Sequence, residues 1–172
     1  MQVIILCGGR GTRLREETEF RPKPMVNIGT RPILWHIMKT YAYYGHTDFI
    51  LALGYKGDMI KNYFCHYELM NNDVTMELGK PDNICIHQRH EENGWKITLA
   101  NTGEMTLKGA RIKKIQKYIK DDVFMLTYGD GIAQIDINNL LAFHKSHGKL
   151  ATLTGVNTTE RFGELKISGT KV

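Results

Sequence analysis

The sequence predicts an α/β fold in which helices cover both faces of a mostly parallel sheet. Apolar runs of strand length alternate along the chain with amphipathic stretches of helical spacing. Parallel strands need crossover connections of about a dozen residues or more, and each helical stretch supplies one. Ligands of such sheets bind at the carboxyl ends of the strands. Residues that directly follow the strands are therefore the first candidates for a functional site.

The first half of the chain contains two strand–helix units. Residues 2–7 are apolar and β-branched and end at a glycine pair, which is typical of a buried strand that leads into a loop. Residues 32–45 place six apolar side chains on one helical face, with a proline in the first turn and a glycine at the end. Residues 48–55 predict the next strand, and residues 58–67 repeat the helical spacing.

The second half begins differently and then returns to the same alternation. Residues 71–101 contain three runs, VTMEL, ICIHQR and WKITLAN, which predict short strands and loops. Residues 108–119 predict a basic amphipathic helix, and residues 123–128 another buried strand. Residues 137–147 predict a helix that stops before a glycine, and residues 150–156 a further strand.

The final residues suggest that the chain continues. Residues 163–172 resemble one strand, a Ser-Gly turn and the beginning of a partner strand. We therefore expect residues 1–172 to form one domain that is a fragment of a longer protein.

Composition indicates a globular protein of the cytoplasm. Of the 172 residues, 42% are hydrophobic and 24% charged, which is unlike disordered chains. The apolar runs are far shorter than the ~20 residues of a membrane-spanning helix, and the first residues do not resemble a secretory signal. Three cysteines without a CxxC pair argue against a disulfide framework or a zinc site. We expect no membrane partner and reduced thiols.

The net charge of +5 suits a polyanionic ligand, which could be a nucleotide or a nucleic acid. Six arginines and lysines crowd the first thirty-one residues among glycines, which favours a local phosphate site. No aromatic residues are interleaved with this basic cluster, as single-stranded nucleic-acid binding would favour. We expect no nucleic-acid partner.

The strongest motif directly follows the first strand. Three glycines in residues 8–11 let the backbone approach a ligand, and successive N–H groups in such a turn bind anions. Thr12 and Arg13 add a hydroxyl and a cation. A P-loop is disfavoured because no Gly-Lys-Ser/Thr follows, and a dinucleotide motif because Leu14 replaces its third glycine. A nucleotide-phosphate loop fits this pattern best, and a flexible glycine turn is the alternative.

Lys23 lies between Pro22 and Pro24, which hold the backbone near extended geometry and present the lysine as a fixed charge. A solvated lysine in a rigid loop is the competing interpretation. Its proximity to the glycine motif favours a functional role.

Asp130 stands between Gly129 and Gly131 at the end of the predicted strand 123–128. A carboxylate in this position suits Mg²⁺, which takes few carboxylates plus substrate phosphates. Asp-Gly is also a common turn dipeptide, so an ordinary turn is the alternative.

Thr106 and Arg111 accompany glycines at the start of the predicted helix 108–119. Helix N-termini attract anions, so these residues could contact a nucleotide. A merely capped helix is the alternative. The seven histidines lack a recognisable metal-ligand spacing, and we assign them no role.

Taken together, these motifs resemble the sugar nucleotidyltransferase (nucleotide-sugar pyrophosphorylase) family. The likeness rests on Gly8-Gly9-x-Gly11-Thr12-Arg13-Leu14, Pro22-Lys23-Pro24-Met25 and Gly129-Asp130-Gly131, and it runs along nearly the whole chain. The runs PILWHIMK, GYKG, TYGDG, FHKSHGKLAT and RFGEL are most similar to members that use CTP and glucose 1-phosphate.

The resemblance implies a Rossmann-like three-layer α/β/α sandwich with a mostly parallel mixed sheet. It also implies CTP and α-D-glucose 1-phosphate as substrates, Mg²⁺ as cofactor, and CDP-glucose for deoxysugars of bacterial surface polysaccharide as product. Family members form homo-oligomers. They also carry a C-terminal third, with a second metal-binding aspartate and much of the sugar pocket, that this chain lacks.

The resemblance further implies roles for individual residues. The residues expected to bind the nucleotide are Leu6, Cys7, Gly8, Gly9, Arg10, Gly11, Thr12, Arg13, Lys23, Thr106, Arg111 and Gly129. Arg13, Lys23 and Asp130 are the expected catalytic residues, and Asp130 is the expected metal ligand.

Two positions depart from the family pattern. Asn101 stands where an aspartate is common, and Lys108-Gly109-Ala110-Arg111 replaces Thr-Gly-Gly-Arg. Both lie in the pocket that should read the base. A uridylyl- or thymidylyltransferase of the same family, and a noncatalytic nucleotide-sugar-binding protein, therefore stay open as alternatives.

Overall fold

A computed structural model of the protein describes residues 1–9, 20–80, 82–87, 90–156 and 167–170. The chain divides into two compact units, Met1–Ala133 and Gln134–Val172. None of the helices in the described residues is both long and apolar enough to cross a membrane.

The first unit is built on a four-stranded sheet. Its strands are β1 (Gln2–Cys7), β2 (Asp48–Leu53), β3 (Lys96–Asn101) and β4 (Met125–Tyr128). In space they follow the order β3-β2-β1-β4, and every neighbouring pair is parallel. Val3 of β1 lies opposite Phe49 on one side and Met125 on the other. The predicted mostly parallel sheet is confirmed.

Helices pack against both faces of this sheet. They are α1 (Ile33–Tyr43), α2 (Gly57–Cys65), α3 (Tyr67–Asn71) and α4 (Lys108–Ile115). Because side chains alternate along a strand, Val3 and Ile5 pack on one face with residues of α1 and α2. Ile4 packs on the other face with Ile115 of α4. These two apolar clusters make the fold the predicted three-layer α/β/α sandwich.

The helices depart from the predicted boundaries in three places. Pro32 precedes α1 in an extended conformation and does not occupy its first turn. The helix predicted over 58–67 is broken, because His66 leaves helical geometry (φ −104°, ψ 9°) and α3 starts anew at Tyr67. The helix predicted over 108–119 ends at Ile115 and continues as a 3-10 turn, Gln116–Tyr118.

Strand β4 is shorter and more exposed than predicted. It begins at Met125, and the side chains of Leu126 and Tyr128 are 45% and 50% exposed. Within the described residues, no strand pairs with its outer edge. The prediction of a buried strand over 123–128 is therefore wrong for these side chains.

The predicted short strands of residues 71–101 belong to two different sheets. Val74–Met76 and Ile84–Ile86 form an antiparallel two-stranded hairpin apart from the main sheet. The run WKITLAN supplies β3, which pairs along its whole length with β2. A second small antiparallel pair joins Asn27–Ile28 to Arg31–Pro32.

The side chain of Gln2 connects the start of β1 to a distant part of the chain. Its Nε2 donates to the carbonyl of Tyr118 (3.2 Å), and its Oε1 accepts from the backbone N–H of Lys120 (2.7 Å). Gln2 is only 4% exposed. A buried polar side chain is tolerated when its hydrogen bonds are made, and these two bonds fix the segment that precedes β4.

The second unit contains α5 (Ile137–His147), as predicted. The carboxylate of Asp136 caps its first turn by accepting from the N–H of Asn139 (3.0 Å), and Gly148 ends it in the left-handed region (φ 61°). Gly169 also has a positive φ (61°), in keeping with the predicted Ser-Gly turn. The strand positions predicted at 163–166 and 171–172 lie outside the described residues.

The strand predicted over residues 150–156 is wrong. These residues adopt no regular structure, and Leu150 and Leu153 are exposed. A strand exists through hydrogen bonds to a neighbour, and none of the described residues provides one for this segment.

Candidate active site

The order of the strands places a crevice between β1 and β4. Strands β2 and β3 lie on one side of β1, and the chain then crosses to the other side to form β4. Ligands of open α/β sheets bind at such a switch point, beyond the carboxyl ends of the strands. Gly8 follows β1 and Gly129 follows β4, so two of the sequence motifs meet at this point.

Gly129 is packed tightly against the end of β1. Its N–H donates to the carbonyl of Leu6 (3.1 Å). A Cβ at position 129 would lie 2.9 Å from Sγ of Cys7 and 3.0 Å from Cγ of Pro24. Any larger residue here would push these neighbours apart, which explains why glycine is needed at the end of β4.

Pro24 brings Lys23 to this crevice. The predicted extended backbone holds for Pro22 (φ −68°, ψ 149°), but Lys23–Met25 form a 3-10 turn, so the prediction is wrong for Lys23 itself. The turn is closed by hydrogen bonds from Met25 N–H to the Pro22 carbonyl (2.8 Å) and from Val26 N–H to the Lys23 carbonyl (3.0 Å). Pro24 is buried.

Lys23 and Asp130 form an ion pair at the mouth of the crevice. The Lys23 Nζ lies 3.5 Å from the Asp130 Oδ2, and the side chains are 20% and 41% exposed. This is a loose contact between two groups that solvent can reach. Both groups therefore remain available to a ligand.

Arg111 lies deeper at the same edge of the sheet and is 5% exposed. Its guanidinium donates to oxygens at the ends of β1, β2 and β3. The acceptors are the carbonyls of Gly8 (2.9 Å), Leu53 (3.1 Å), Gly103 (2.8 Å) and Glu104 (3.0 Å) and the hydroxyl of Thr102 (2.6 Å). One side chain of α4 thus ties three strand ends together.

Two glycines make room for this guanidinium. A Cβ at Gly8 would overlap the Arg111 side chain, and a Cβ at Gly54 would lie 2.7 Å from its Nη2. Packing against Arg111 is therefore one reason for the glycine at position 8 of the sequence motif. A Cβ at Gly9, in contrast, would meet no atom of the described residues within 4 Å.

The positive charge of Arg111 is not neutralised by a carboxylate among its described partners, which are all carbonyl or hydroxyl oxygens. Burial lowers the pKa of this guanidinium from its usual value, but arginine side chains keep their proton at neutral pH in proteins. Among the described residues, an unpaired positive charge therefore lies against the backbone of Gly8.

Cys7 lies between the Arg111 cluster and the Lys23–Asp130 pair. Burial raises the pKa of its thiol strongly, and the carboxylate of Asp130 raises it further, whereas Arg111 lowers it. The thiol is therefore protonated and serves as a small apolar group at the end of β1.

The loop that leads into α4 is organised by its own hydrogen bonds. Thr106 Oγ1 donates to the carbonyl of Thr102 (2.6 Å), and Lys114 Nζ donates to both Thr102 O (2.8 Å) and Thr106 Oγ1 (3.0 Å). Asn101 Oδ1 accepts from the N–H of Gly103 (3.1 Å), so it stabilises the turn by itself. These bonds fix the loop beside Arg111.

The structure thus brings together most of the predicted residues it describes. Leu6, Cys7 and Gly129 are in contact, Lys23 and Asp130 form a pair, and Gly8, Thr106 and Arg111 belong to one hydrogen-bonded cluster. The predicted residues Arg10, Gly11, Thr12 and Arg13 lie outside the described residues.

Thr102 and Gly54 were not among the site residues predicted from the sequence, and Lys108 was expected near the base only as a departure from the family pattern. Thr102 is 2% exposed, and its hydroxyl donates to the carbonyl of Leu53 (2.6 Å) while it accepts from Arg111. Gly54 follows β2 as Gly8 follows β1, a signal that could have identified it. Lys108 lies with its Nζ 5.1 Å from the ring centroid of Tyr128, which links the start of α4 to the end of β4.

A metal ion would have one described carboxylate to bind in this crevice. The described residues contain no group of three or more histidine, cysteine, aspartate or glutamate side chains that could hold a metal. Asp130 is partly exposed, and its ion pair with Lys23 is long, at 3.5 Å. This donor set fits Mg²⁺, which keeps several waters and takes its other ligands from substrate phosphates.

Comparison with known proteins identifies relatives of the whole chain. The model of the nucleotidyl transferase family matches residues 2–171. Glucose-1-phosphate cytidylyltransferase from Salmonella typhi is 49% identical over 100% of this chain, which spans 66% of that relative. A probable glucose-1-phosphate cytidylyltransferase from Bacillus subtilis is 46% identical over 97% of the chain, which spans 65% of that relative.

Proteins with lower sequence identity to this chain carry other names. Mannose-1-phosphate guanyltransferase from Pichia angusta is 31% identical over 93% of the chain and 38% of that relative. The crystal structure of HddC from Yersinia pseudotuberculosis complexed with GMP-PN is similar with a TM-score of 0.58 and 28% identity. That likeness covers 83% of this chain and 53% of HddC.

Proposed function

The chain belongs to the nucleotidyl transferase family, and from this membership we propose that it serves the transfer of a cytidylyl group from CTP to α-D-glucose 1-phosphate. The products of this reaction are CDP-glucose and pyrophosphate. The likeness to glucose-1-phosphate cytidylyltransferase, 49% over the whole chain, supports the choice of substrates. The observation that carries the proposal is the Lys23–Asp130 pair beside the glycine loop, at the switch point of the sheet.

The reaction needs no general base from the protein. A phosphate monoester is largely dianionic at pH 7, because its second pKa is about 6. One of its oxygens forms a bond to the α-phosphorus of CTP, while the bond from that phosphorus to the bridging oxygen breaks and pyrophosphate leaves with the electron pair. The site must therefore align the two reactants and stabilise the charge that develops.

The chain offers two cations for this purpose in its described part. Lys23 can reach phosphate oxygens in the crevice, since its side chain is partly exposed and only loosely paired. Arg111 acts from below the loop, because its charge is buried and its described partners are neutral oxygens. A charge in a water-poor environment acts more strongly on a phosphate than one in bulk water. We assign the same task to Arg13 from the sequence.

Asp130 is the residue that would hold Mg²⁺, which when bound would supply positive charge to the phosphate oxygens. The nucleotide-binding residues we propose are Leu6, Cys7, Gly8, Gly9, Arg10, Gly11, Thr12, Arg13, Lys23, Thr106, Arg111 and Gly129.

The setting we propose is the bacterial cytoplasm, where CDP-glucose would feed deoxysugars of surface polysaccharide and the protein would act as a homo-oligomer. The three cysteines of the described residues, Cys7, Cys65 and Cys85, are all free, as is usual in a reducing compartment.

The test is pyrophosphate release from purified protein supplied with Mg²⁺ and glucose 1-phosphate. CTP, UTP, dTTP and GTP are offered one at a time, and the Lys23→Ala variant is the control. Release with CTP alone supports the proposal. Release with UTP or dTTP instead would assign the chain to another nucleotide. CTP binding without pyrophosphate release would favour the noncatalytic alternative for these residues.

A further inference from the structure

We infer that the hairpin of Val74–Met76 and Ile84–Ile86 pairs with the same hairpin of a second copy of this chain, edge to edge along Ile84–Ile86. The hairpin is bonded to no other strand of the described residues. A two-stranded sheet is only marginally stable by itself, and an open edge readily pairs with another chain. Both properties favour a partner strand.

One face of the hairpin is apolar and exposed. Val74 lies opposite Ile86, and Met76 lies opposite Ile84, so these four side chains share one face. Met76, Ile84 and Ile86 are 51%, 42% and 41% exposed. Such a strip of β-branched and apolar residues is typical of a surface that is covered in an assembly.

The hydrogen bonds inside the hairpin show which backbone groups point away from its other strand. The N–H of His87 donates to the carbonyl of Asp73 (2.9 Å), and the N–H of Glu77 approaches the carbonyl of Asn83 (3.4 Å). Because alternate residues of an antiparallel strand face the same neighbour, the N–H and C=O groups of Ile84 and Ile86 point to the outer edge. These two residues can therefore form a new ladder.

The sequence of this strand is the same in both directions around Cys85. A two-fold axis at Cys85 places Ile84 opposite Ile86 of the second copy, and Ile86 opposite its Ile84. Symmetric dimers need this self-complementarity, since each residue must suit its counterpart in both copies. The apolar strip of one hairpin would then continue into that of the other.

Charge distinguishes this edge from the opposite one. Self-pairing of the first strand around Thr75 would place Asp73 opposite Glu77 of the second copy, twice per dimer, and like charges directly opposite each other are destabilising. Self-pairing of the second strand places Asn83 opposite His87, which are compatible polar residues. The second strand is therefore the edge that suits a second copy.

The first experiment measures the mass of the chain in solution by sedimentation equilibrium over a range of concentrations. We expect a dimer for the original chain, and at least a tenfold weaker dimer for Ile84→Lys, which places a lysine at both symmetric positions. Tyr43→Lys is the matched control, because Tyr43 is an apolar aromatic residue that is 84% exposed on α1, and we expect it to leave the dimer unchanged. Circular dichroism verifies that both variants fold.

The second experiment uses Cys85 itself. In the proposed register the two Cys85 residues form a non-hydrogen-bonded pair with Cα atoms about 4.5 Å apart, which a disulfide can span. In a Cys65→Ser background, whose remaining exposed cysteine is Cys85, mild oxidation with copper phenanthroline should give a covalent dimer. The comparison variant carries Cys65→Ser, Cys85→Ser and Thr75→Cys, and should stay monomeric on a denaturing gel.

Three results would overturn this inference. They are a monomer at every concentration, a dimer that Ile84→Lys leaves intact, and an assembly that cross-links through position 75 but not through Cys85. The last result would assign the interface to the other edge of the hairpin. None of these outcomes depends on the nucleotide or on turnover, so the inference can fail while the proposed reaction stands.

Discussion

Arg111 and Lys23 are both cations at the carboxyl edge of the sheet, yet the molecule holds them in opposite ways. Arg111 is 5% exposed and donates to oxygens of three strand ends, from 2.6 to 3.1 Å away. Lys23 is 20% exposed at its side chain and makes one ion pair, at 3.5 Å to Asp130. The first arrangement commits both terminal nitrogens of the side chain to protein oxygens. The second holds the side chain, among the described residues, by one long ion pair.

This difference assigns the two residues different roles. Arg111 stabilises the structure of the site, and we propose that Lys23 contacts the ligand. A side chain whose terminal nitrogens bind several protein oxygens can position a loop and lend it charge, but it rearranges around a ligand only by giving up those bonds. A side chain with one loose partner can exchange that partner for a phosphate. The comparison therefore predicts that changes at Arg111 act mainly on folding, and changes at Lys23 mainly on turnover.

The largest expected effect is that of Arg111→Ala on stability. It removes hydrogen bonds to five oxygens, and the bonds to Gly8, Leu53 and Thr102 are buried; the loss of such a buried network typically costs about 3–5 kcal/mol. Urea denaturation measures the free energy of unfolding. Lys113→Ala on the exposed side of the same helix is the control and should change it by less than about 0.5 kcal/mol. A stable Arg111→Ala protein with a slow reaction would reverse the comparison.

Lys23→Ala should show the opposite pattern. We expect kcat for pyrophosphate release to fall on the order of 10²-fold or more, which is the effect of removing one transition-state donor. Its free energy of unfolding should fall by less than about 1 kcal/mol, because a partly exposed ion pair contributes little. Lys61→Ala, at an exposed position of α2, is the control for charge. A near-normal kcat would remove Lys23 from the site.

Gly129→Ala tests the contact that joins the two regions. The added Cβ would lie 2.9 Å from Sγ of Cys7 and 3.0 Å from Cγ of Pro24, and such overpacking costs about 1–3 kcal/mol. We expect the turn that carries Lys23 to shift, so kcat should fall together with stability. Gly131→Ala is the matched control, since a Cβ there meets no atom of the described residues within 4 Å. Equal effects at both glycines would contradict the packing argument.

Thr102→Val tests the hydrogen-bonded cluster around Arg111. It removes a buried hydroxyl that donates to the carbonyl of Leu53 and accepts from Arg111. We expect a loss of about 1 kcal/mol in the free energy of unfolding, which is typical of one such hydrogen bond. Ser146→Ala serves as the reference, because Ser146 is exposed although its hydroxyl also donates to a carbonyl. The KM for the nucleotide should change by a smaller free-energy equivalent than the free energy of unfolding does.

The smallest effect concerns the thiol between the two regions. Burial and the charge of Asp130 raise the pKa of Cys7 above its ordinary value of 9.0, so the folded thiol keeps its proton where the unfolded thiol loses it. Unfolding therefore releases a proton, and stability falls as pH rises above about 9. Native protein at pH 8 should react with a thiol reagent at Cys65 and Cys85, and at Cys7 only after denaturation. Rapid labelling of Cys7 would contradict its burial.

The sequence predicted well the elements that carry a regular pattern. Strands β1 and β2 are continuous apolar runs, and α1 and α5 have clear apolar spacing and glycines that end them. The crevice also followed from the sequence, because residues that come after parallel strands must meet at one edge. Local chemistry decides all of these features.

The parts that failed depend on neighbours far along the chain. Residues 150–156 have the composition of a strand, but a strand needs a partner, which the sequence does not specify. The Arg111 cluster involves Gly8, Gly54 and Thr102, which come from three separate loops. Their meeting follows from the register of β1, β2 and β3, and no local pattern encodes that register.

The position of β1 in the sheet has a consequence for synthesis of the protein. β1 is the first strand of the chain and lies inside the sheet. Its neighbour β4 comes much later in the chain, where Met125 pairs with Val3. A ribosome adding about 5–20 residues per second needs roughly 6–25 s to make the residues between them. During that interval one edge of β1 has no partner strand. The side chain of Gln2 also lacks both of its hydrogen-bond partners, the carbonyl of Tyr118 and the N–H of Lys120. The nascent chain therefore leaves one edge of an apolar strand unpaired for seconds, and chaperones that bind apolar segments have that time to protect it.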